Sequence, residues 1–199
     1  SSAYFFSISL ATIVLMRLDV VIVTAFSNET QAGFFGAAAR LAQAAQVIGL
    51  VWLVWLRPRM ASAVARSNRH EVRQLLRRST TWVVLMAGAT TVVAWLAAPL
   101  VVELFGHGFE SAVWPFRLLL LANFSWCTVV PLYTLLTMSG SERTTSRIVW
   151  VQLVLTVGLS IPLCHALGAT GAAYAWAAGA IVWSAAIAVV GVRSRLLIG

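Results

Sequence analysis

Lysine is absent from these 199 residues and only six are acidic, so a formal net charge of +8 rests on fourteen arginines. Charged residues make up 10% of the chain and hydrophobic residues 60%. A soluble domain carries about 25% charged residues, so an ordinary soluble fold is excluded. The cysteines are two, Cys127 and Cys164, set in or beside apolar segments. They show no metal-ligand spacing and read as small hydrophobes, silent on redox compartment. No initiator Met and no basic segment precede the first apolar run, which is long enough to span a bilayer, so no cleavable signal is read. The expectation is a C-terminal piece of a longer protein. No nucleophile–base constellation, metal-ligand cluster, phosphate loop or nucleotide motif occurs, so neither an enzyme nor a cofactor is expected.

What is present is an uneven placement of arginine. Seven lie between Arg57 and Arg78, two at Arg143 and Arg147, and two at Arg193 and Arg195. The alternate connections hold Glu29, then Glu103 and Glu110, then a neutral Cys164–Gly171 turn. Basic charge beside membrane-length apolar segments points to cytoplasmic loops and anionic headgroups rather than nucleic acid.

A spanning helix needs about 20 mainly apolar residues. Six candidates follow, at about 4–26, 33–56, 80–102, 112–138, 144–166 and 169–192. The expected fold class is all-α: a polytopic six-transmembrane-helix bundle over residues 1–199, both termini cytoplasmic. Ser27–Gln31 predicts a short outer turn and an antiparallel first hairpin. Arg57-Pro58 predicts the end of the second helix. Residues 57–79 read as an amphipathic basic loop. Within it, Asn68 and Glu71 have capping-box spacing, and Val72, Leu75 and Leu76 share one face of a short helix on the inner leaflet. A solvated basic loop is the alternative. Trp55, Trp82 and Trp150 fall near the inner face and Trp114 near the outer, as in aromatic belts, whereas Trp95, Trp126, Trp176 and Trp183 fall deeper.

Charges inside spans cost about 2.5–3.5 kcal/mol at a helix centre, and four occur: Arg17, Asp19, Arg40 and Arg117. At about 1.5 Å rise per residue, Asp19 and Arg40 each lie roughly 10 Å below the outer surface, on neighbouring helices. One reading puts Arg17, Arg40 and Arg117 in a hydrated cavity that attracts an anionic substrate, with Asp19 orienting or titrating. The other makes Asp19–Arg40 a structural ion pair and lets Arg117 snorkel outward. Gly36, Arg40 and Gln43 fall within one arc of the second helix, with Gln46 further round, which supports a wet face. Pro131 and Pro162, with Gly158, interrupt the fourth and fifth helices, and His107 and His165 lie near the outer surface as plain loop or proton-coupling residues.

Arg17-Leu18-Asp19, Gly33-Phe34-Phe35-Gly36-Ala37-Ala38, Arg57-Pro58, Leu104-Phe105-Gly106, Gly140, Pro162 and Leu167 to Ala173 follow one another in order along the six helices. This order resembles the C-terminal half of polysaccharide-biosynthesis membrane proteins. These are O-antigen-type flippases of the multidrug/oligosaccharidyl-lipid/polysaccharide exporter superfamily. The resemblance spans essentially the whole chain and implies two six-helix bundles around a cavity of alternating access. It also implies transport of lipid-linked oligosaccharide or polysaccharide precursors across the bacterial inner membrane, as in lipopolysaccharide biosynthesis. The implied partners are the anionic pyrophosphate of that lipid, membrane lipids, and the missing N-terminal half or a second copy. Two other readings stay open: a drug or metabolite antiporter of the same superfamily, and a non-transporting scaffold for cell-envelope assembly. One intramembrane carboxylate against three arginines favours an anionic substrate.

Overall fold

The computed structural model describes residues 2–26, 29–66, 68–103 and 109–193, and all regular structure among them is helical. Seven α-helices follow in order: α1 Ser2–Phe26, α2 Glu29–Ala65, α3 Arg69–Leu96, α4 Ala98–Glu103, α5 Val113–Met138, α6 Glu142–Leu167 and α7 Ala169–Arg193. A 3-10 turn, Phe109–Ala112, leads into α5. Among the described residues, four helical segments are long and apolar enough to cross a membrane: Arg69–Leu96, Glu110–Met138, Glu142–Leu167 and Ala169–Arg193. α1 adds a shorter apolar stretch, Phe6–Leu15.

Side-chain contacts fix the helix directions. Asn123 Nδ2 donates to the Ala42 carbonyl at 2.8 Å, and Leu135 packs in one cluster with Leu56 and Met60, so α2 and α5 run parallel. Trp114 Nε1 donates to Tyr174 Oη at 3.0 Å, and Ser125 and Ser184 bond further along, so α7 runs with them. α1 runs with α6: Ser7 meets Ser146 and Trp150, while Ile8, Ala11 and Leu15 cluster with Val149 and Leu153. α3 opposes α5, since Gly88 lies by Phe124 and Trp95 by Trp114. α6 opposes α7 through Thr156 beside Gly179 and Leu163 beside Gly171. Helix starts and ends therefore alternate, and one end of the bundle collects Arg57 to Arg78, Arg143, Arg147 and Arg193. Glu103, Glu110 and His165 lie at the other.

Small residues bring α7 close to its neighbours. Ala172, Ala173, Ala175, Ala180 and Gly191 are buried there, as in membrane helices that associate through close backbone approach. The α6–α7 connection is a single non-helical residue, Gly168, at φ 60° and ψ −140°. Gly171 follows, where any Cβ would run into the Leu163 carbonyl.

Several sequence expectations change. α2 does not stop at Pro58 but runs on to Ala65. Leu56, Met60 and Ala63, spaced i, i+4, i+7 across the proline, are fully buried, so packing holds the helix through the one missing N–H. Pro131 and Pro162 likewise sit inside continuous helices rather than interrupting them. The expected 80–102 helix instead begins at Arg69 and breaks at Ala97, with Pro99 in the first turn of α4. Asn68 caps the helix, its side chain accepting from the Glu71 N–H at 3.1 Å and donating to the Glu71 carboxylate at 3.2 Å, while its own N–H bonds to the Ala63 carbonyl and so does not close the capping box. The helix it starts, however, is the beginning of α3 and not a separate leaflet helix. Its apolar face packs against protein, because Val72 is buried with Leu56, Met60 and Ala63 while Leu75 and Leu76 pack alongside. Glu29, Thr30 and Gln31 belong to the first turn of α2 rather than to the connecting turn. The first two helices are antiparallel, yet α1 lies mainly against α6 and touches α2 only slightly.

Candidate functional site

α2 carries an uncovered face. Arg40, Gln43, Val47, Val51 and Val54 are exposed along it and Gly36 is half-buried, all within one arc at about 100° per residue. The face is polar in the half nearer the acidic end and apolar toward the arginine end, where Val54 is 76% exposed. The opposite face, with Phe35, Ala38, Ala39 and Ala42, is buried in the main core cluster. Alanine there lets α2 approach α5 closely, and that approach turns the Arg40 side outward.

Of the sequence-predicted residues, Arg40 and Gln43 thus share one exposed surface. Arg117 does not join them. It is half-buried on α5, its guanidinium 5.3 Å from the Trp95 ring centroid and its Nε buried without a hydrogen-bond partner. The indole face replaces part of the water that the cation gives up. The side chains of Arg17 and Asp19 lie outside the described residues, as do His107 and Leu104-Phe105-Gly106. The proposed Asp19–Arg40 pairing therefore also falls outside them.

Behind the Gln43 face lie two neighbouring voids with shared lining residues that the sequence reading missed. The smaller, about 30 Å³, is lined by Gln43, Gln46, Asn123 and Trp176 among others. The larger, about 100 Å³, shares Gln46, Asn123 and Trp176 and adds Thr12, Tyr133, Gln152 and Trp183. Four amides across the two voids (Gln43, Gln46, Asn123 and Gln152), the hydroxyls of Thr12 and Tyr133 and indoles, with no charged side chain, suit water or hydroxyl groups rather than an ion. Trp183 stacks on Trp126 at 6.4 Å, and its Nε1 is buried without a hydrogen-bond partner. A signal was available: Asn123 and Gln152 are amides inside apolar spans, where unpaired polar groups are costly. Gln43 and Gln46 on the second helix are read that way in the sequence, and these two are not.

Among the described residues, no three His, Cys, Asp or Glu side chains gather as metal ligands would. Cys127 and Cys164 are free and buried. The tryptophans divide by exposure: Trp55, Trp82, Trp114 and Trp150 are exposed near the bundle ends, whereas Trp126, Trp176 and Trp183 line the interior. No family model, curated protein or solved structure matches the chain.

Proposed function

We propose that the chain is one six-helix bundle of an inner-membrane flippase, with α1 and α2 crossing the bilayer beside the four longer apolar segments. It translocates a lipid-linked oligosaccharide or polysaccharide precursor by alternating access. The observation that carries this reading is the uncovered α2 face with Arg40 and Gln43 side by side on it. Opposite a second bundle, that face becomes half of a cavity wall. A pyrophosphate leaving water needs basic partners, and arginine binds it bidentately in a fixed fork that lysine does not reproduce. The arginines gathered at one end support cytoplasmic termini by the positive-inside rule. The antiporter reading is disfavoured because Glu103, Glu110 and Glu142 all lie at helix ends or beyond them, leaving Asp19 as the single intramembrane carboxylate.

The test is complementation of a strain without its polysaccharide flippase by the full-length gene, comparing wild type, Arg40→Ala and Arg40→Lys. Surface polymer is the readout, and membrane levels of each variant are measured in parallel. Loss of one charge-assisted bidentate contact predicts polymer lowered about tenfold or more in the alanine variant at normal protein levels. Full rescue by Arg40→Ala removes Arg40 from substrate recognition and leaves the scaffold reading in front.

A further inference from the structure

At the arginine-rich end, α1 and α6 leave between them a furrow of about 690 Å³. Tyr4 and Ser7 of α1 form one wall, and Arg143, Ser146, Arg147 and Trp150 of α6 form the other. Its floor is tied together, since Trp150 Nε1 donates to Ser7 Oγ at 2.7 Å and Ser7 Oγ lies 3.3 Å from the Ser146 hydroxyl. Arg143 and Arg147 are exposed, one turn apart, in the first two turns of α6. The positive end of the helix dipole adds there to their charge. Glu142 precedes them but is not part of the walls.

The same side of α6 continues as lipid-like chemistry. At about 100° per residue, Arg143, Arg147, Trp150, Val154 and Ile161 fall in an arc of about 60°. Val154 is 69% exposed and Ile161 39%, and on α1 Leu10 and Ile13 are exposed as well. Read along the helix, the order is cation, indole, aliphatic surface, which is the polarity profile of a phospholipid from phosphate to acyl chain. The basic stripe of α3 differs: His70, Arg73, Gln74, Arg77 and Arg78 line a groove whose walls all come from one helix.

We propose that the α1–α6 furrow is a binding site for an anionic membrane phospholipid. Its phosphate sits between Arg143 and Arg147, and an acyl chain lies along Val154 and Ile161. The proposal rests on membrane insertion of the bundle and not on transport.

The test uses the full-length protein in detergent and measures retention of phosphatidylglycerol against phosphatidylcholine by native mass spectrometry. Comparison is with Arg143→Gln/Arg147→Gln and, as control, Arg77→Gln/Arg78→Gln. An exposed arginine near the headgroups is worth about fivefold in affinity, so the first double variant loses preference for the anionic lipid by well over tenfold while the control keeps it. A phosphatidylglycerol analogue with a photoreactive acyl chain gives an independent readout on wild type, with labelling expected at residues 4–13 and 147–161. Equal retention of both lipids, an unchanged Arg143/Arg147 variant, or labelling confined to α3 overturns the proposal. So does displacement of the lipid by millimolar inorganic phosphate, which would mark a simple anion site.

Discussion

Arginine in this chain behaves according to the atoms it meets. Arg59 lies 3.9 Å over Trp55 at the wet end of α2, and Arg117 lies 5.3 Å from Trp95 inside the bundle. In both, an indole face takes the place of a counter-ion. Arg40 stands apart on an exposed helix face, where it is open to a ligand from outside the bundle. Glycine acts as sharply. Gly168 occupies a backbone region open essentially to glycine alone, and the α6–α7 connection has no other non-helical residue to absorb strain. Gly168→Ala is expected to destabilise the protein by about 1–3 kcal/mol, seen as a lower unfolding midpoint in detergent. An unchanged midpoint would mean that the turn has another conformation within reach.

At the scale of elements, the Asn68 cap sets where α3 starts. Asn68→Ala removes a side-chain acceptor from the Glu71 N–H and is expected to cost about 1 kcal/mol, read as faster amide exchange over residues 69–73 with the rest of α3 unchanged. Exchange spread evenly along α3 would contradict a local role. This cap was legible in the sequence because its spacing is a property of a single turn. The end of α2 was not legible in the same way. Proline at position 58 signals a stop locally, but the burial of Leu56, Met60 and Ala63 against Leu135 and Val72 overrides it. Leu135 lies far away in sequence and Val72 belongs to the next helix, so the periodicity of α2 alone contains neither partner. The apolar face of Val72, Leu75 and Leu76 was correctly seen as one face, while its neighbour was misassigned to lipid for the same reason. In the site, charge made Arg40 and Arg117 conspicuous, whereas the amides of Asn123 and Gln152 become meaningful only where five helices meet around one void.

For the whole molecule, direction and charge agree. The helix polarity fixed by packing places every described arginine-rich connection at one end, as the alternation along the sequence predicts. Single cysteines at Asn68 and at Glu110, on a background with Cys127 and Cys164 replaced by alanine, are expected to react with a membrane-impermeant maleimide from opposite sides of sealed vesicles. Labelling of both from one side would break the proposed topology. α2 and α3 are longer than a bilayer's hydrocarbon layer is thick: 37 and 28 residues correspond to about 55 and 42 Å of helix, against about 30 Å. One packing choice has a consequence for biogenesis. α1 finds its main partner in α6, and the Ser7–Ser146 contact joins positions 139 residues apart. At about 5–20 residues per second of translation, α1 waits roughly 7–28 s before that partner is synthesised. During that interval the face bearing Ser7, Ile8, Ala11 and Leu15 lacks its α6 cover, so α1 must persist with that apolar face unpaired until the later helices emerge.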